Sequence, residues 1–372
     1  MERSAAAPLP AGAPVRLPVW STAAPVAAWL LVAGALFGAG AAGFYTVLLG
    51  AGLLAGVLAA VFHAEVVAHR IGEPYGTLVL AVAVTAIETA LIVSLMIAGG
   101  AAAGGLARDT VFAAVMIILN GMVGLCLLAG GARHREQVFG LQGVSAALTT
   151  LAAIAVLTMV LPNFTTTRPG PEYSAGQLVF IAVVSGVLYG TFVLVQTVRH
   201  RDYFLPEAGA ADEHAHATRP SAKLAWMSGA WLLACLGGVV LLAKLLSPAV
   251  EAAVEAAGAP KSLVGIIIAG VVLLPEAIAA FQAARANRLQ TSLNLALGSA
   301  LAGIGMTIPA VALVSLVTSL PLSLGIDAKS TVLLMLSIVV AGLSLGTGRT
   351  TIMQGAVHLA IFAVYLFTTI VP

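Results

Sequence analysis

Residues 77–98 read TLVLAVAVTAIETALIVSLMIA, and residues 262–284 read SLVGIIIAGVVLLPEAIAAFQAA. Each run is long enough to cross a bilayer, because about 20 apolar residues in a helix span the hydrocarbon core. In each, one glutamate, Glu88 or Glu276, is the only formally charged residue. A charged side chain at bilayer depth carries a penalty of roughly 2.5 to 3.5 kcal/mol on insertion scales, so acids kept there have a use, by default in a cation or proton path. Two lone acids in matching contexts, one in each half of the chain, predict a single shared site.

Composition agrees with a bilayer as the solvent. The 372 residues are 60% apolar and 9% charged, with a mean hydropathy of +1.06, against about 25% charged residues in soluble domains. The chain is therefore a polytopic membrane protein whose surroundings are lipid. A net charge of +2 with scattered basic residues gives no electrostatic surface for nucleic acid. Cys126 and Cys235 lie inside apolar runs and read as small buried hydrophobes. The Ala/Pro-rich start carries Arg3 and Arg16 but no small-residue cleavage site after a short apolar core, so no removed signal peptide is expected.

The spanning length applied along the chain gives eleven helices, at 23–40, 44–68, 76–98, 110–130, 139–161, 176–198, 224–246, 262–284, 291–318, 330–346 and 350–371. The runs are too long and too evenly apolar for barrel strands, so the fold class is all-α. Of the 17 Lys and Arg, 12 fall in loops on the amino-terminal side. Arg108, Arg168, Lys244, Lys261 and Lys329 fall on the other. The positive-inside rule then places the amino terminus in the cytoplasm and the carboxyl terminus outside.

The longest polar connection, with Asp202, Glu207, Asp212, Glu213, His214 and His216, divides the helices into two groups. Setting aside the first span leaves five before it and five after. An odd number forces the second group into the membrane upside down, which is the arithmetic of an inverted repeat. The expected organisation is an amino-terminal segment with an extra helix (1–43), a first five-helix repeat (44–199), a cytoplasmic linker (200–222) and a second, inverted repeat (223–372). The helix before each lone acid also ends with an acid, Glu65 and Glu255, at 23 and 21 residues' distance. Both are candidate ion-path acids, and equally good solvated helix ends.

The text from Ser247 to Val314 resembles the second alpha repeat of the cation/calcium exchangers, and Glu65 to Gly130 the first. Within that superfamily, TAIETALIVSLMIAGG, LARDTVFAAVMIILNGMVGLCLLAGGARHRE and ARANRLQTSLNLALGSALAGIGMTIPAV are most similar to the ChaA-type calcium/proton antiporters of bacteria. The resemblance implies a protein of the bacterial inner membrane with no cofactor. Its cargo would be Ca2+, or Na+ or K+, exchanged for H+. Glu88 and Glu276 would bind the cation and the protons, and Asn120 and Ser299 would fall beside the site. Many calcium exchangers read Gly-Asn-Ala-x-Glu at both acids. Here 84–88 is VTAIE and 272–276 is VLLPE, so Thr85 and Leu273 stand where the amides would be. Calcium takes about six to eight oxygen ligands, which keeps a monovalent cation open as the cargo. Pro275, before Glu276, lacks the amide hydrogen of a helical turn and frees a carbonyl near the acid.

Other readings compete. Glu88 and Glu276 could be neutral acids that only bond helices together, and Asn120 and Asn294 interhelical glue. His63, Glu65 and His69 lack the order of a zinc-protease motif. Gly38, Gly40 and Gly43 spell GxGxxG without a preceding strand, so with Gly34, Gly50, Gly52 and Gly56 they read as close helix packing. A gated channel would need rings of pore charge, and an enzyme would need a nucleophile motif or phosphate loop, none of which the sequence holds.

Overall fold

In lipid, a chain has no water to satisfy its backbone, so each apolar run closes its own hydrogen bonds as a helix. The computed structural model describes residues 17–39, 43–72, 75–205, 220–258, 260 and 262–371. Over these it forms α1 (Val19–Gly38), α2 (Phe44–Ile71), α3 (Tyr75–Gly99), α4 (Leu106–His134), α5 (Leu141–Phe164), α6 (Ala175–Arg199), α7 (Ala222–Ala256), α8 (Ser262–Arg285), α9 (Leu289–Thr318), α10 (Ala328–Leu345) and α11 (Ile352–Ile370). Ten are long and apolar enough to cross a membrane. The eleventh, α3, has 25 residues and so extends about 37 Å at 1.5 Å per residue. All eleven expected spans are thus helices. Arg3, Arg16, Arg219, Lys261, Gly40 and the linker's Glu207, Asp212, Glu213, His214 and His216 lie outside the described residues.

The main departure is α7, which runs 35 residues where the hydropathy ended at 246. Pro248 and the acids of SPAVEAAVEA lower the hydropathy of its second part without stopping the helix, and Glu251 accepts from Ser247 Oγ one turn back at 3.0 Å. At about 52 Å, α7 exceeds the roughly 30 Å hydrocarbon core. A second departure is in α4, which is π-helical over Ile117–Met122, a change of phase that apolar periodicity cannot show.

The packing repeats in inverted order. α2 lies along α7. α3 packs on α9 as α8 packs on α4, and α6 packs on α9 as α11 packs on α4. The loops follow the same rule. Between α4 and α5, β1 (Glu136–Val138) pairs antiparallel with β2 (Arg349–Thr351), between α10 and α11. At the other end, Glu172 of the α5–α6 loop bridges Ser323 of the α9–α10 loop. Counterpart helices α6 and α11 even begin alike, with capping boxes of Ser174 with Gln177 and Thr351 with Gln354. α4 and α9 are the most enclosed of the described helices.

The extra helix α1 leans on α2 and α7. Trp29 Nε1 donates to Ala234 O at 2.9 Å, and His63 Nε2 lies 2.9 Å from Ser21 O. Gly52 and Gly56 admit Leu31 and Val239, as close packing requires. Gly38 and Gly43 instead hold φ of +113° and +60° with nothing near, so the fingerprint spacing there arises from backbone bends.

Candidate functional site

α3 places Glu88 midway along its length, and α8 does the same for Glu276. Both side chains are enclosed, at 5% and 7% exposure. The two helices share one buried apolar cluster, to which α3 contributes Ile87 and Leu91 and α8 contributes Val272. Glu88 Oε1 and both carboxylate oxygens of Glu276 are buried and have no hydrogen-bond partner among the described residues. Burying polar atoms without partners is expensive, and far more so for charged ones. These oxygens are acceptors that a cation, a proton or a water molecule would satisfy.

The seat of Glu88 is made by α9. Gly303 lies so close that a Cβ there would stand 3.2 Å from Glu88 Oε2; a larger residue would push the carboxylate away. One turn further along α9, the hydroxyls of Thr307 and Thr89 share a 2.9 Å hydrogen bond, which fixes α3 against α9 directly beside the acid. Ser299 is half-buried and stands one turn before Gly303, on the same helix face. Thr85 is buried at 3% exposure one turn before Glu88.

Glu276 sits on the counterpart pair. α8 runs parallel to α4, with Gly265 against the backbone of Asp109 and Thr110. Toward the other end of the same pair, His134 Nε2 of α4 lies 3.0 Å from Arg285 O of α8. Asn120 is fully buried. Its Nδ2 donates to Ser337 Oγ of α10 at 2.8 Å and reaches Met116 Sδ at 3.8 Å, while Oδ1 is free of partners among the described residues. Its amide nitrogen thus serves as interhelical glue, and only its oxygen is left for a site. α8 continues unbroken through Pro275, immediately before Glu276, where proline lacks the amide that the Val271 carbonyl would accept from.

The outlying acids separate. Glu65 is exposed, and His69, also exposed, follows one turn later on α2. Glu255 is exposed near the end of α7. Among the described residues no three His, Cys, Asp or Glu side chains gather as a metal-holding group. Gly303, Thr89, Thr307 and Ser337 were not singled out from the sequence. Gly303 and Thr307 stand in the ALAGIGMT text of the resemblance, but a helix apolar on every face does not reveal which residues turn toward an acid.

The chain matches the family model described as sodium/calcium exchanger protein over residues 40–198 and 227–371. It is 54% identical over 326 residues to a protein of Sinorhizobium fredii named as an ionic transporter, y4hA, covering 87% of this chain and 88% of that one. It is 36% identical over 319 residues to the sodium-potassium/proton antiporter ChaA of Escherichia coli, covering 85% and 86%. Its backbone also resembles the crystal structure of the H+/Ca2+ exchanger CAX, with a TM-score of 0.69 at 14% identity over 93% of this chain and 87% of that one.

Proposed function

The chain belongs to the sodium/calcium exchanger protein family, and from that premise we propose that it is a secondary antiporter that exports Ca2+ in exchange for protons at a site shared by Glu88 and Glu276. The observation that carries this reading is the pair of enclosed carboxylates, three of whose four oxygens are buried without protein donors among the described residues. Empty and doubly ionised, the pair would leave two uncompensated charges in a low dielectric, at several kcal/mol per ion. One divalent cation cancels both charges, and so do two protons. Each load therefore has to leave as the other arrives, and the exchange through this pair is electroneutral. Asn120 Oδ1, Ser299, Thr85 and the carbonyl freed by Pro275 would complete the oxygen ligands, with water. Glu65 would pass ions between the site and the cytoplasm. In this reading the repeats are 44–199 and 223–372, and the protein lies in a bacterial inner membrane with its arginine-rich end inside.

A monovalent cargo is the second reading, in which Na+ or K+ binds with one proton retained. It is favoured by Leu273, which supplies no amide oxygen, and by the name of the 36% identical relative. Proton flux in everted vesicles carrying a fluorescent pH probe, with calcium, sodium and potassium salts added separately, distinguishes the two by which salt dissipates an imposed gradient. Glu88→Gln and Glu276→Gln should each abolish the cation-dependent signal, and Glu88→Asp should reduce it. Undiminished flux in both Gln variants, correctly inserted, would end the shared-site mechanism.

A further inference from the structure

The inverted repeat creates two counterpart clefts at opposite ends of the bundle. One lies among the ends of α4, α10 and α11 and is lined by Asp109, Phe112, Lys329 and Tyr365; it holds an open cavity of about 160 Å3. The other lies among the counterpart helices α9, α5 and α6, by Asn294, Leu297, Gly143 and Phe192, and has no such room. What fills it is Phe204, from the first turn of the linker, Arg201–Phe204.

Phe204 is seated as a core residue would be. It is 8% exposed, and its ring meets Phe192 of α6 edge-on at 5.7 Å and 85°. Its carbonyl accepts from Asn294 Nδ2 of α9 at 2.6 Å. Asn294 Oδ1 in turn accepts from Gln290 Nε2 at 2.8 Å, and Gln290 Oε1 accepts from the Gly140 amide, before α5, at 2.6 Å. A Cβ at Gly143 would stand 2.5 Å from the Tyr203 carbonyl oxygen and 3.1 Å from the Phe204 ring, so the turn can seat only against glycine there. Three helices and one linker turn thus converge on a single aromatic ring.

Two repeats of one architecture alternate access by exchanging shapes, largely by rocking against each other. A ring wedged among α5, α6 and α9 resists that exchange. α9 is also the helix whose Gly303 seats Glu88 and whose Thr307 bonds Thr89. We propose that Phe204 is a wedge that biases the transporter toward the access state seen here, with Asn294 as its tether, both acting as positioning residues. The proposal rests on the antiport reading, since it needs two access states.

A wedge that binds one state and not the other shifts their ratio. If the seated state is favoured about 10:1 by the wedge, losing it brings the ratio to about 1:1, which improves apparent cation affinity about fivefold at the face that state hides and weakens it about twofold at the other. The test measures the cation concentration for half-maximal proton flux in everted and in right-side-out vesicles. Phe204→Ala and Gly143→Ala should shift the two faces in opposite directions. Asn294→Ala should do so less, and Phe204→Leu, which keeps an apolar plug, should stay near wild type. Gly143→Ala removes no side chain, so it reports independently if Phe204→Ala does not fold. Unchanged half-saturation at both faces, or a loss of maximal flux alone, overturns the wedge. A wild-type protein with no cation-driven proton flux would bring down the antiport reading, and the wedge with it.

Discussion

The α2–α3 hairpin and the α7–α8 hairpin carry the same sequence device, an acid near the end of one helix and a lone acid inside the next. They use it differently. Glu65 stands six residues before the end of α2, whereas Glu255 stands one residue before the end of α7, a helix of 35 residues against the 28 of α2. Seven extra residues carry a helix about 10 Å further. Inverted repeats preserve the course of the helices through the bilayer and leave their lengths free. In the proposed mechanism the site is approached by an acid from the α2 side, while its counterpart stands at the far end of α7.

The sharpest way to break this comparison is to neutralise both acids in turn. Glu65→Gln neutralises the acid proposed to pass ions to the site, and cation-dependent proton flux at limiting cation should fall severalfold. Glu255→Gln should leave the flux within a factor of about two, as for surface charges with little coupling. Equal losses in the two variants would mean that the hairpins are functionally symmetric after all.

A smaller effect separates two glycines of α9. An alanine Cβ at Gly303 would press on Glu88 Oε2 at 3.2 Å, while one at Gly298 would meet nothing within 4 Å. Gly303→Ala should raise the half-saturating cation concentration about fivefold, a shift of ~1 kcal/mol in binding, with protein yield unchanged. Gly298→Ala should bind as wild type does. If Gly303→Ala also binds normally, Glu88 is not seated on α9 when it holds its cargo.

The fold was legible to the extent that length and apolarity decide it. Eleven runs became eleven helices, and the odd number in each half implied the inversion. The long end of α7 was not legible, because Glu251, Glu255 and Pro248 depress hydropathy, yet none of them stops a helix that has left the hydrocarbon. The two acids proposed for the site were conspicuous because a charge stands out in lipid. Their setting was less so. Asn120 was read as a site residue, but its amide nitrogen bonds Ser337, and the π turn at 117–122 that sets its phase has no apolar signature. The capping boxes at Ser174 and Thr351, Ser or Thr followed three residues later by Gln, stand at counterpart helix starts.

The finest difference between the halves is the residue after each acid, Thr89 after Glu88 and Ala277 after Glu276. Only the first can bond across to α9, and it does so to Thr307 at 2.9 Å. Interhelical hydrogen bonds in membrane proteins average about 0.6 kcal/mol, so Thr307→Val should lower unfolding stability by roughly that amount while flux stays near wild type. Thr89→Val should do the same. Because the two hydroxyls serve one bond, removing both should be no worse than removing one, and the double-mutant cycle should return a coupling of similar size. Additive losses in steric trapping or in thermal unfolding in detergent would show that the hydroxyls act separately. The α3–α9 contact beside Glu88 would then rest on apolar packing.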